Sequence, residues 1–417
     1  MKKKNIAFGL ILGITFVLMV VILVFIYQEI KNNQIHYNDV SDDGTFSTSF
    51  IRNSHSYMKD ENYMISPYSV EIALSMLREG AKGETLSEIE KVAPKRSIKT
   101  MIVKDRVNVA NAIFIKDKYK DDMLPTYMDV LDQDYNADVI YDKFDTPVKI
   151  NNWVKQETNG MIDKILDQMD PDFVLGIANA IAMEEKWEIP FECKETSGYA
   201  FTKKDGKQYD TAMMFHSYEE KASYYKDDKM EAVILPYLTY NRSNGKEADE
   251  GEQLDFIGIM PKNLDSYVES LTLEDVKTIA SDSRMAGSDL EITVGLPRFE
   301  FSYDFKKFKN SLINMGIKSV FSSSCDLSGM IENHDDMFVS EAIHKTYVKV
   351  DEAGTKAAAV TYFGTKDSAA IIDDKEYVSV IFDRPFVFLI KDHNSNEILF
   401  FGVVYEPEKW DGNKTCE

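Results

Sequence analysis

Cysteine is scarce: Cys193, Cys325 and Cys416 are the three in 417 residues. They match no metal-binding spacing, and an odd count leaves at least one thiol without an internal partner. A fold that depends on disulfides is therefore not expected. Six scattered histidines form no His-x-x-x-His pair, so no metal cluster and no cofactor are expected. Gly-x-Ser-x-Gly, the phosphate loop, Gly-x-Gly-x-x-Gly and His-Glu-x-x-His are all missing, and with them the usual nucleophile elbow, phosphate cradle, dinucleotide site and zincin helix. An enzyme is not expected. Positive charge is also short, with 48 Lys and Arg against 70 Asp and Glu for a net charge of −22. That balance argues against nucleic acid and anionic membrane surfaces as partners. No internal repeat is present.

What is present is apolar: 44% hydrophobic residues, enough for a substantial core in one large domain or two ordinary ones. Lys2, Lys3 and Lys4 precede an uninterrupted apolar run from Ile6 to Tyr27. As a helix, that run would span roughly 33 Å, about one bilayer core. It ends in Val24-Phe-Ile-Tyr27 with no small-residue cleavage site and no following Cys for lipid attachment. The expectation is a single-pass signal anchor at 6–27, with a basic cytoplasmic end at 1–5, a polar stalk at 28–43, and the rest outside the cell. The alternative is secretion after signal cleavage.

Beyond the stalk, helix and strand patterns alternate in mixed order, which points to an α+β domain over 44–410 with a short tail at 411–417. A helix-like segment runs to Lys59. Ser66-Pro-Tyr-Ser then opens a helix ending near Gly80, with Ser66 placed to cap and Pro67 at the first turn. Thr85-Leu-Ser-Glu88 has the form of a capping box opening another helix. Helices are also expected over 121–135, 149–160 and 304–315, the last stopped by Gly316. Strands are expected at 107–115, 139–141, 173–187, 230–237, 254–260, 290–301, 386–391 and 398–405.

One stretch stands apart: Val348-Lys-Val-Asp-Glu-Ala-Gly-Thr-Lys-Ala-Ala-Ala-Val-Thr361. Val348 and Val350 alternate with Lys349 and Asp351, as in a half-buried strand. On the same period Thr355, Ala357, Ala359 and Thr361 share one face, small enough to pass over a packed core, while Lys356, Ala358 and Val360 share the other. Gly354 marks a change of direction. The segment could serve as a loop or as an inserted strand. Read alone, its alanines would also suit a helix.

The run Asp351–Thr361 resembles the hinge of the serpin family, as do His344-Lys345 before it and Arg384-Pro-Phe-Val-Phe388 after it. The order Asn62-x-x-x-Ser66-Pro-x-Ser69, then Gly80-Ala-Lys-Gly-Glu-Thr85, and the strand Asn179-Ala-Ile-Ala-Met-Glu-Glu-Lys-Trp187 resemble the same family. The resemblance covers about 44–407. It implies three sheets, eight or nine helices, and an exposed reactive loop at about 353–376. It also implies suicide inhibition of serine proteases, sometimes cysteine proteases, in which the cut loop inserts into the large sheet. Glu352, Gly354, Thr355, Ala357, Ala358, Ala359 and Thr361 would form the hinge. Ser66, Ser69, Asn179, Ser340 and His344 would lie under the centre of the sheet. Trp187 and Arg298 would mark where the loop enters, with an Arg298–Glu352 pair closing the sheet top; an ordinary surface ion pair is the plainer alternative.

At the family's usual spacing from Glu352, the reactive bond would be Ser368-Ala369, although the loop is several residues longer than usual. The window Ser368-Ala-Ala-Ile-Ile372 suits elastase-like or subtilisin-like proteases better than trypsin-like ones, since Asp367 follows Lys366. Bulky Tyr362 and Phe363 depart from the small-residue pattern. A monomer is expected, and the composition is compatible with a bacterial surface protein. A non-inhibitory, membrane-tethered binding or adhesion protein of the same fold is the alternative.

Overall fold

The computed structural model describes residues 45–95, 107–183, 185–240, 252–332, 337–355 and 375–412. They belong to one compact unit, Asp43–Glu417. The expected cytoplasmic end, membrane span and stalk lie outside the described residues, as do residues 413–417 of the tail. Among the described residues, no helix is long and apolar enough to cross a membrane. They contain eight α-helices, three short 3-10 turns and eighteen strands in three sheets, the expected α+β architecture.

Helix Pro67–Gly80 is the central support. Ser66 Oγ accepts from Ser69 N at 3.2 Å, and Pro67 takes the first helical position, where its missing N–H costs nothing. Every residue from Pro67 to Leu77 is buried. The helix packs against Leu175–Met183 on one side and Ile398–Val404 on the other. It therefore sits between two sheets, and each fully buried Leu, Ile or Met there contributes roughly 1.5–3 kcal/mol.

The large sheet is built from β1 (Val107–Lys116), β2 (Ala137–Asp142), β3 (Leu175–Met183), β4 (Glu185–Lys186), β5 (Phe299–Asp304), β6 (Val339–Val350) and β7 (Gly354–Thr355). Its order is β2-β1-β3-β6-β5, with β7 bridging the upper end of β6 to β4. β3 and β6 pair in parallel from Leu175↔Val339 to Ile181↔Thr346. A seven-stranded sheet includes the buried hairpin Phe386–Asp392 and Ile398–Val404 beside Leu254–Pro261 and Met230–Pro236. A four-stranded sheet has the order Glu376–Ile381, Leu290–Pro297, Gln208–Tyr218, Ser197–Thr202.

Three expectations need correction. The strand expected over 290–301 is two strands in different sheets, Leu290–Pro297 and Phe299–Asp304, separated by Arg298. Thr85 and Glu88 do not open a helix; they lie inside Gly83–Val92. There they cap another segment: Glu88 Oε2 accepts from the backbone N–H of Lys318 and Ser319, and Thr85 Oγ1 from that of Asp326. The helix expected from Asp121 starts at Pro125, after a 3-10 turn at Asp117–Asp122. Of the cysteines among the described residues, Cys193 is disulfide-bonded and Cys325 is free and buried.

Candidate functional site

The upper end of the large sheet is where the distinctive stretch arrives. β3 and β6 pair up to Thr346, and beyond that point they no longer pair with each other. The chain turns at Asp351, whose Oδ1 accepts from Ala353 N at 3.0 Å and Gly354 N at 3.3 Å. Burial raises the pKa of this carboxyl. Gly354 and Thr355 then enter the gap as β7, Thr355 opposite Val350 and Glu185, Gly354 opposite Lys186. A Cβ on Gly354 would lie 2.0 Å from the Glu185 carbonyl oxygen, so only glycine permits this approach. Thr355 is 2% exposed, consistent with its expected place on the small inward face.

Trp187 closes this pocket of backbone. Its indole Nε1 donates to Asp351 O at 3.0 Å, and its backbone N donates to Ala353 O at 3.1 Å. The ring stacks on Tyr237 at 4.7 Å, and the Tyr237 hydroxyl lies 2.7 Å from Thr355 Oγ1. Phe191 N donates to Glu352 O at 2.9 Å. Trp187 therefore acts as the floor on which the entering strand rests.

Arg298 and Glu352 meet as the resemblance implied, and the surface-pair alternative is excluded by burial. Their side chains are 11% and 9% exposed. Arg298 Nε donates to both carboxylate oxygens at 3.0 and 2.9 Å, and a terminal guanidinium nitrogen donates to Oε1 at 2.5 Å. The Thr196 hydroxyl donates to the same oxygen. A forked, buried, charge-assisted pair of this kind is costly to break from one side.

Lower in the sheet, His344 of β6 is buried, and its Nε2 accepts from Ser66 N at 3.0 Å. The proton of the neutral ring is then on Nδ1. Burial pulls the imidazole pKa down to about 3. Ser66 Oγ donates to Leu399 O at 2.6 Å, and Thr346 Oγ1 to Met64 O at 2.7 Å. Asn179 is the backbone neighbour of His344 across the β3–β6 ladder; its side chain lies outside what is described. Ser340 does not join this group. Its hydroxyl donates to Leu175 O at 3.0 Å and accepts from Val174 N at 2.9 Å, beside the bulge at the lower end of the ladder.

The reactive-bond residues Ser368 and Ala369, and the hinge residues Ala357, Ala358, Ala359 and Thr361, lie outside the described residues, as do Tyr362 and Phe363. Thr196, Tyr237 and Thr346 were not anticipated. Tyr237 ends an apolar strand as a lone aromatic, which is a weak signal; Thr196 and Thr346 carry none. Among the described residues no group of His, Cys, Asp or Glu is arranged to hold a metal.

The two middle strands of the large sheet thus pair below, part above, and receive the start of the following segment in the gap. The chain belongs to the serpin family: the family described as Serpin (serine protease inhibitor) matches residues 41–407. It is 29% identical over 375 residues to the leukocyte elastase inhibitor of Bos taurus, covering 83% of this chain and 93% of that one. It is also 29% identical over 376 residues to a serine protease inhibitor of Cyanea capillata, covering 84% and 93%. Among solved structures, the thermophilic serpin tengpin in the native state aligns with a TM-score of 0.73 at 28% identity, covering 89% of this chain and 95% of that one. Uncleaved ovalbumin, at 23% identity and a TM-score of 0.69 over 87% and 99% of the two chains, shares the fold. The two curated relatives are named as inhibitors, in keeping with an inhibitor rather than an enzyme.

Proposed function

We propose that this protein is a suicide inhibitor of serine proteases. A protease cuts the segment after Thr355, the new end enters the large sheet, and the acyl-bound enzyme is carried with it and distorted. The observation that supports this best is β7: the first two residues of the segment already occupy the gap between Val350 and Glu185. Continued insertion would part the β3–β6 ladder and replace it with two new ones, adding backbone hydrogen bonds and buried area. Small inward residues at 357, 359 and 361 suit that path. The uncut form would be held behind a barrier rather than at its free-energy minimum.

The favoured bond is Ser368-Ala369 and the favoured target an elastase-like or subtilisin-like protease, from the small apolar side chains around it. The apolar run at 6–27 supports a membrane tether with the serpin domain outside the cell, and a bacterial surface is the compatible setting. Incubation with an elastase is expected to give an SDS-resistant complex and a short C-terminal fragment beginning at Ala369; a fragment beginning at Asp367 would replace the target with a trypsin-like enzyme. Thr355→Arg places a charge on the buried face and is expected to convert inhibitor into substrate. If that variant traps protease at the wild-type stoichiometry, insertion is not the mechanism.

A further inference from the structure

β5 pairs with β6 on one side, from Phe299↔Val350 to Asp304↔Lys345, and among the described residues no strand pairs with its other side. We propose that this open edge docks an extended segment of a protein partner, one that alternates Lys or Arg with apolar residues.

The register fixes which backbone groups are on offer. Phe305 N donates to His344 O at 3.1 Å, one step beyond the Asp304↔Lys345 pair. In an antiparallel ladder such directly bonded pairs recur at every second residue. Phe299, Phe301 and Tyr303 therefore turn their N–H and C=O groups to β6. Glu300 and Ser302 turn theirs outward, and both residues are exposed. The open stretch is bounded at each end. Arg298 N donates to Ala212 O at 2.8 Å and Arg298 O accepts from Glu408 N at 3.0 Å, while Asp304 O accepts from Lys306 N at 2.9 Å. A short unpaired edge of this kind is a template for another chain.

There is room beside it. Asn62 holds the neighbouring stretch aside, its Nδ2 donating to Glu406 O at 2.6 Å and its Oδ1 accepting from Glu406 N at 2.9 Å. Between that stretch and β5 lies a cleft of about 490 Å³, within the range of ligand sites, roughly 300–1,000 Å³. Glu300, Phe301, Ser302, Tyr347, Glu406 and Glu408 line it.

The charge selects the occupant. Three of the lining residues are glutamates, and among the described residues no Lys or Arg lines the cleft. Glu300 accepts from the Tyr347 hydroxyl at 2.7 Å, and Glu406 pairs with Lys203. Burial raises the Glu408 pKa, Arg298 opposes that, and the nearby Glu300 charge adds to it. A cation between Glu300 and Glu408 offsets their repulsion. The side chains of β5 alternate, with Phe299 and Tyr303 buried and Phe301 half-buried on one face and Glu300 and Ser302 exposed on the other. A strand added about 4.8 Å away would set every second residue beside Glu300, where Lys or Arg fits, and those between beside Phe301, where an apolar side chain fits.

The test uses the full chain and a fluorescein-labelled peptide, Lys-Val-Arg-Val-Lys, read by fluorescence anisotropy. Saturable binding is expected, with slowed amide exchange at Glu300 and Ser302. Combining Glu300→Lys with Glu408→Lys, both exposed positions, is expected to weaken binding at least about tenfold. Two isomeric peptides, N-methylated on the Lys and Arg residues or on the Val residues, are expected to differ in affinity by at least about tenfold, since only one set of amides can face β5. No saturable binding, equal affinity of the two isomers, or wild-type affinity in the charge-reversed variant would overturn the proposal. Self-association of the chain that Glu300→Lys abolishes would put a second copy on this edge and overturn the assignment of the partner. None of these readouts involves a protease, so the outcome stands apart from the inhibitor reading.

Discussion

The middle and the top of the large sheet are held by different means. In the middle, β3 and β6 share a ladder from Leu175↔Val339 to Ile181↔Thr346, and the support beneath is neutral: His344 accepts from a backbone N–H among Phe50 and Phe308. At the top the strands are parted, and two residues of β7, one indole and one buried ion pair do the holding. Cohesion spread over a ladder resists single substitutions. Cohesion concentrated in a few groups makes the top the place where one side chain can decide whether the sheet opens.

Arg298→Ala should have the largest effect. It leaves Glu352 buried without its partner, a loss of about 3–5 kcal/mol. The denaturant midpoint should fall accordingly, with exchange at Asp351–Thr355 rising far more than at Leu175–Ile181. A uniform rise across the sheet would erase the distinction between middle and top.

Acid should act on the middle instead. His344 is depressed from its usual 6.5 to about 3 by burial, so the unfolded chain binds more protons below pH 6.5. Stability is therefore complete above 6.5 and declines as pH falls towards 3, by up to about 3 kcal/mol at pH 4. Protonation would also abolish the acceptor for Ser66 N. His55, lowered by burial despite its Asp265 neighbour, adds in the same direction. Unfolding midpoints measured from pH 7 to 4 should show the decline, and His344→Gln should flatten it.

Gly354→Ala should have the smallest effect. Its Cβ would meet the Glu185 carbonyl, and such overpacking costs about 1–3 kcal/mol. The expected response is expulsion of β7, seen as rapid exchange at Thr355 with little change at Thr346. Retention of wild-type protection at Thr355 would mean that the close approach is not what fixes β7.

The sequence made some of this legible for physical reasons. The alternation at 348–351 and the inward place of Thr355 are set by the two-residue period of a strand, and these appear in β6 and β7; the rest of the small face lies outside the described residues. The pairing of Arg298 with Glu352, fifty-four residues apart, has no local signature and came only through resemblance. The change of sheet at Arg298 does leave a mark in the sequence: the apolar positions run 290, 292, 294 and 296, then shift phase to 299 and 301 across Pro297-Arg298, and reading 290–301 as one strand passed over that break in period. Thr85 and Glu88 carry the letters of a capping box, but their oxygens serve the 318–326 segment, which only tertiary structure brings near. Ser340 was misplaced because sequence order along β6 does not tell which end of the ladder a side chain serves.

The division of the Leu290–Asp304 stretch has a mechanical consequence. Leu290–Pro297 pairs in parallel with Glu376–Ile381, and Arg298, the next residue, grips Glu352. Glu352 and Glu376–Ile381, which bracket the intervening segment, are therefore moored to a single continuous stretch of polypeptide. Tension at one mooring is borne directly by the other, and detaching Glu352 slackens the near end while leaving the far end fast.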